Sequence, residues 1–117
     1  MSQGVQLIVF PVKDIARAKA LYTKLLGAEP YADAPYYVGF KVGEQEIGLD
    51  PNGHRHGSTG PIPYWEVEDV KTSLQSLQDA GAEVQQDVKD VGGGKLVAIA
   101  KDADSNLIGL MQSPQKG

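Results

Sequence analysis

The chain has 117 residues, 41% hydrophobic and 22% charged, which is the size and composition of one globular domain with a core of its own. Eleven Lys and Arg against fifteen Asp and Glu give a net charge of −4 with no basic block, so the electrostatic footprint of a nucleic-acid-binding protein is missing. With no cysteine, disulfides, iron–sulfur ligation, thiolate zinc and cysteine nucleophiles are excluded.

The first apolar run, Leu7 to Phe10, is far too short to span a membrane, and Met1-Ser2-Gln3-Gly4 carries no basic residue ahead of it. The cytoplasm is the expected compartment, with neither membrane nor nucleic acid as a partner.

Val5 to Val12 reads as a strand apolar on both faces. Asp14 then fits an N-cap, and Ile15, Ala18, Leu21, Tyr22, Leu25 and Leu26 recur at helical spacing until Gly27 stops the helix. Three strands are expected next, over Glu29 to Ala32, Tyr36 to Val42 and Gln45 to Asp50. The last two are joined by a tight Gly43-Glu44 hairpin. Asp50 to Pro63 holds three Pro, three Gly and both His, a connection between structural units.

Beyond it the pattern restarts. Ile62 to Val67 reads as a strand, and Asp69 caps a helix whose face carries Val70, Leu74 and Leu77 and which closes at Gly81. Strands are expected over Glu83 to Val91, Lys95 to Lys101 and Asn106 to Gln112, separated by Gly92-Gly93-Gly94 and by Asp102 to Ser105. Val12-Lys13-Asp14 matches Val67-Glu68-Asp69 at an offset of 55, and Gly27-Ala28-Glu29 matches Gly81-Ala82-Glu83 at an offset of 54. One βαβββ unit is used twice.

These residues resemble the vicinal oxygen chelate superfamily of glyoxalases, bleomycin resistance proteins and extradiol dioxygenases. The resemblance rests on Val9 to Asp14 leading to Tyr22 to Gly27, and on Lys101 to Leu110, which is similar to the family's closing hairpin. It implies an α+β fold in which two βαβββ modules form a curled mixed sheet around a cleft. One domain over residues 1–117 is expected, with modules at about 4–52 and 60–114.

The resemblance also implies metal positions, because family enzymes bind a divalent ion through the first and last strand of each module. Counting back from Asp14 and Asp69 places the first pair at Leu7 and Ile62; the closing pattern places the second at Gly48 and Gly109. None offers a lone pair, so no metal and no other cofactor is expected. Ile47-Gly48-Leu49 and Ile108-Gly109-Leu110 are the same tripeptide in equivalent strands. Each glycine either clears room for a ligand or answers to a twist or bulge, and the symmetric pair favours room.

With these four facing the cleft, alternation sends Val9, Asp50, Tyr64, Glu66 and Met111 the same way and Ile8, Phe10, Leu49, Trp65 and Leu110 toward the helices. The ligand-binding set is therefore Leu7, Gly48, Asp50, Ile62, Tyr64, Glu66, Gly109 and Met111, an apolar floor with an acidic rim. Trp65 is expected in the core rather than as a ligand platform. His54 and His56, flanked by Gly53 and Gly57, form a His-x-His whose bland reading as loop residues outweighs a metal or a general base. Gly92-Gly93-Gly94 lacks the strand-to-helix context of a phosphate loop.

The function these residues support is metal-free binding of a small, partly planar organic molecule with a neutral or cationic head, in a homodimer as the resemblance implies. The alternatives are a lyase, isomerase or dioxygenase-like enzyme using non-standard ligands or acid–base residues such as Glu66, Asp50 or His56, and an interaction module with a vestigial pocket.

Overall fold

A computed structural model describes residues 2–53 and 60–114. The elements run β1 (Ser2–Pro11), α1 (Ile15–Leu26), β2 (Ala32–Ala34), β3 (Tyr37–Val42), β4 (Gln45–Asp50), β5 (Ile62–Val67), α2 (Val70–Asp79), β6 (Glu83–Asp90), β7 (Leu96–Lys101) and β8 (Leu107–Gln112). This is βαβββ twice, the α+β architecture read from the repeat. The chain divides into two compact units, Gln6–Ile62 and a second built mainly from Pro63 onward.

In the first unit the strand order is β2-β3-β4-β1, with β1 parallel to β4 and the other pairs antiparallel. Asp14 caps α1 through a side-chain bond from the Arg17 N–H at 3.0 Å. Gly27 ends the helix in the left-handed region at φ 66°, its N–H donating to the Thr23 carbonyl at 3.0 Å. Val38, Phe40 and Leu49 form the buried core, with Phe10, Ile15, Ala18, Tyr22, Leu26 and Ile47 packed around them. The rings of Phe10 and Tyr22 lie 5.5 Å apart.

Two expectations change here. Leu21 and Leu25, counted with the apolar helical face, are 65% and 71% exposed, because the sheet covers only the stripe of Ile15, Ala18, Tyr22 and Leu26. The first short strand lies at Ala32–Ala34, not Glu29 to Ala32. Pairing with β3 defines it (Ala32 with Gly39, Asp33 with Val38, Ala34 with Tyr37), so the neighbour's register rather than its own pattern sets its limits.

The second unit repeats the order as β5-β8-β7-β6, again with its first strand parallel to its last. Asp69 accepts the N–H groups of Lys71 and Thr72 at 3.1 and 3.2 Å and caps α2. The Gln112 side chain reaches from the end of β8 to accept the Val70 N–H at 2.8 Å, fastening the helix start to the sheet. Val67, Val70, Leu74, Ala98, Ala100 and Leu110 form the core, and Trp65 packs against it as expected. Gly92, Gly93 and Gly94 all have positive φ at the hairpin tip between β6 and β7. Among the described residues no helix is long and apolar enough to cross a membrane.

Candidate functional site

Residues opposite one another in a ladder share a face of the sheet. In the first unit, Ile47, Leu49, Val38 and Phe40 pack toward α1, which leaves Leu7, Val9, Tyr37, Gly39, Lys41, Glu46, Gly48 and Asp50 on the opposite face. Leu7 stands opposite Glu46, and Gly48 is flanked in register by Val9 on β1 and Gly39 on β3. A row of two adjacent glycines thus crosses the middle of this face.

Tyrosines occupy the space that the glycines leave. A Cβ on Gly48 would meet Tyr37 Oη at 2.2 Å and Cζ at 2.7 Å; one on Gly39 would meet Tyr31 Cζ at 2.9 Å and Oη at 3.0 Å. Tyr37 reaches Gly48 along the diagonal of the antiparallel ladder, a distance that an aromatic side chain spans. Tyr31, just ahead of β2, is held by its own N–H, which donates to the Gly39 carbonyl at 2.9 Å. Its hydroxyl donates to Glu46 Oε1 at 2.6 Å. Partial burial first, then this bond to a carboxylate and the nearby Tyr37 and Glu46, push the Tyr31 hydroxyl above the ordinary tyrosine range.

The second unit arrives at the same device by another route. Tyr64 on β5 is the registered partner of Gly109 on β8, and a Cβ on Gly109 would meet Tyr64 Cδ1 at 2.6 Å and Cγ at 2.7 Å. Glu66 pairs with Met111 one step along. Ile62 is 5% and Met111 3% exposed.

The expected alternation therefore holds in both units, and Leu7, Gly48 and Asp50 share a face in one as Tyr64, Glu66, Gly109 and Met111 do in the other. The reading of the glycines changes. The volume freed at Gly48 and Gly109 is taken by the chain's own Tyr37 and Tyr64 rings rather than left as an open floor.

Neither expected rim carboxylate is idle. Asp50 Oδ1 accepts the Asn52 N–H at 2.8 Å, closing a turn after β4. Glu66 Oε1 accepts from the Ser113 hydroxyl at 2.7 Å and the Ser113 N–H at 3.2 Å. His54 and His56 lie outside the described residues.

A divalent metal does not fit this donor set. Leu7 and Ile62 are aliphatic and buried, Gly48 and Gly109 have no side chain, and tyrosine rings cover both glycines. Among the described residues no three His, Cys, Asp or Glu side chains converge as a metal site.

An open depression of about 330 Å³ lies elsewhere in the first unit, lined by Ile15, Ala16, Lys19, Asp33, Pro35 and Val38 among others. The ion pair of Lys19 with Asp33 already neutralises its charged wall, and no expected site residue lines it.

Sequence reasoning missed Tyr31, Tyr37, Gly39 and Glu46. A signal for three of them was present: a two-residue Gly43-Glu44 turn pairs Val42 with Gln45, and counting outward brings Lys41 opposite Glu46 and Gly39 opposite Gly48, with Tyr37 one diagonal away.

Two βαβββ units whose first and last strands run parallel define a paired-module α+β protein. The chain belongs to the glyoxalase/bleomycin resistance protein/dioxygenase superfamily, whose family model matches residues 4–110. Solved structures share the fold at low identity. A superfamily member from Vibrio splendidus 12B01 is 15% identical with a TM-score of 0.71, the match covering 91% of this chain and 95% of that one. Methylmalonyl-CoA epimerase from Mycobacterium tuberculosis is 17% identical with a TM-score of 0.74, covering 98% and 90%. The Mn(II)-bound glyoxalase from Novosphingobium aromaticivorans is 19% identical with a TM-score of 0.73, covering 99% of this chain and 40% of that one. No curated protein matches the sequence.

Proposed function

We propose that this superfamily member is a metal-free small-molecule-binding protein that sequesters an organic ligand against its tyrosine-bearing sheet faces. The observation that carries this reading is the replacement of donor atoms by glycine and aliphatic side chains at Leu7, Gly48, Ile62 and Gly109, with Tyr37 and Tyr64 laid over the two glycines. Tyr37 shares its sheet face with buried Leu7 in the first unit, and Tyr64 shares its face with buried Ile62 on β5 and Met111 on β8; either face suits a partly planar apolar body, and an overall charge of −4 favours a neutral or cationic head. Asp50 and Glu66 stand on the same faces.

The acid–base alternative is weakened by the bonds that Asp50 and Glu66 accept from Asn52 and Ser113, since Asp50 already holds the turn after its own strand and Glu66 the chain just beyond the end of the neighbouring β8. A homodimer is part of the proposal and rests on family membership alone.

The test is a thermal-shift screen of metabolites and antibiotics, followed by amide mapping of any compound that raises the melting temperature. Perturbed amides at Leu7 and Gly48 in the first unit, or at Tyr64 and Gly109 in the second, are expected, together with unchanged binding after exhaustive treatment with a chelator. Stoichiometric zinc, manganese, nickel or iron that is lost in the His54→Ala, His56→Ala variant would overturn the metal-free reading. Light scattering that gives a monomer at micromolar concentration would remove the dimer.

A further inference from the structure

Resting on the binding role above, we infer that the tyrosine-bearing face of the first unit is a recognition site for an organic cation, with Glu46 as its charged anchor and Tyr31 and Tyr37 as its aromatic walls. Three observations place these groups together. Gly39 and Gly48 are registered neighbours, and each receives the phenol end of a tyrosine, so the Tyr31 and Tyr37 rings stand over adjacent positions of one face. The Tyr31 hydroxyl donates to Glu46 Oε1 at 2.6 Å, which fixes the carboxylate's orientation and leaves Oε2 unused by that bond. Leu7, 7% exposed, stands opposite Glu46 on β1 and supplies an apolar flank.

A carboxylate beside two phenol rings is suited to an ammonium or similar cation. The ring faces carry negative electrostatic potential, and the carboxylate supplies the full charge and an acceptor. An anionic head would meet that carboxylate at close range and gain little from the rings. The Tyr31 phenol keeps its proton throughout the neutral range and so stays a neutral donor on this face.

One residue acts against the cation, and it makes the inference testable in sign. Lys41 stands directly opposite Glu46 in the β3–β4 ladder, yet among the described residues the two form no ion pair. Lys41 is exposed on its strand, and its ammonium is a like charge that a bound cation must tolerate. Removal of the Glu46 charge and removal of the Lys41 charge are therefore expected to change affinity in opposite directions. At an anion site built from Lys41 and the two hydroxyls, both signs invert.

The probes are benzylammonium, benzyl alcohol and benzoate, which share one ring and differ in charge. Each is titrated into the full chain at neutral pH and followed through backbone amide shifts. Benzylammonium is expected to bind more tightly than benzyl alcohol by roughly fivefold to thirtyfold, with the largest shifts at Tyr31, Tyr37 and Glu46. Glu46→Gln, which keeps an acceptor for Tyr31, should bring the two affinities within about twofold, and Lys41→Gln should strengthen benzylammonium binding. Equal affinities for the amine and the alcohol in the parent chain, or a preference for the amine that survives Glu46→Gln, would overturn the cation site. So would a preference for benzoate that Lys41→Gln abolishes. If no probe shifts these amides while a screened compound binds elsewhere on the chain, this site fails and the general binding role stands.

Discussion

Adding one methyl group to each of two equivalent glycines should have unequal consequences. At Gly48 the new Cβ would meet the far end of Tyr37, Oη, Cζ and Cε1 at 2.2, 2.7 and 2.8 Å, and small rotations of a long side chain clear it. At Gly109 it would meet Cδ1, Cγ and Cε1 of Tyr64 at 2.6, 2.7 and 2.8 Å. Cγ is bonded to the tyrosine Cβ and cannot move without a change of rotamer or a separation of β5 from β8. Overpacking of this kind costs about 1–3 kcal/mol, while replacing a strand glycine by alanine returns about 0.5–1 kcal/mol. Gly109→Ala should therefore lose about 1–2 kcal/mol and Gly48→Ala should fall near zero. For a chain of this size that separates the melting temperatures by roughly 4–8 °C.

Urea unfolding followed by far-ultraviolet circular dichroism measures both variants. Tyr64→Ala supplies the control, because without the ring the Gly109→Ala change should become stabilising. A Gly109→Ala variant as stable as Gly48→Ala, or one whose cost persists in the Tyr64→Ala background, would refute the account of these glycines as seats for tyrosine rings.

Gln112→Leu should cost about 1–3 kcal/mol in the same unfolding assay, because it strands the N–H of Val70, a residue with 0% exposure, at the start of α2. The raised Tyr31 hydroxyl contributes stability that is complete below the ordinary tyrosine pKa and is lost as pH rises through the raised value; Tyr31→Phe should flatten the alkaline limb of a stability-against-pH curve. Asp69 and Asp102 behave oppositely. Bonds led by the Thr72 N–H for the first, and by the Asn106 side chain for the second, hold both below the usual carboxylate range, so their contribution is present above the ordinary pKa and is lost as pH falls through the lowered one. Asp69→Asn, which retains a capping oxygen, should reduce that acid dependence in urea midpoints measured across pH 2 to 5, on the order of the carboxylate range.

Most of the element order was legible because its signals are local. Asp14 and Asp69 cap helices by bonding N–H groups two or three residues ahead, and Gly27 and the Gly92 to Gly94 tip occupy positive φ that other residues resist. Gln45–Asp50 and Ile62–Val67 fall where alternation puts them. What was not legible depends on partners. An edge strand of three residues takes its limits from β3, and whether Leu21 and Leu25 are covered depends on how much of α1 the sheet reaches.

The site divides in the same way. The faces of Leu7, Gly48, Tyr64, Gly109 and Trp65 follow from strand periodicity, but the filling of the glycine spaces does not, since glycine for a ligand and glycine for a neighbouring ring leave the same letter. Tyr31 is harder still. It lies outside any strand, and its approach to Glu46 depends on the path of the chain from Gly27 to β2.

The seating of Trp65 against the core of the second unit has a spectroscopic consequence. It is the chain's single tryptophan, so intrinsic indole emission samples the surroundings of β5 and α2 and is blind to melting of the first core around Phe40 and Leu49. Circular dichroism averages over all the strands and helices. If indole emission and circular dichroism give coincident urea midpoints, the two halves melt as one cooperative body; if the midpoints part, each half has a stability of its own. In that event Gly109→Ala would move the emission curve, and Gly48→Ala would leave it where it was.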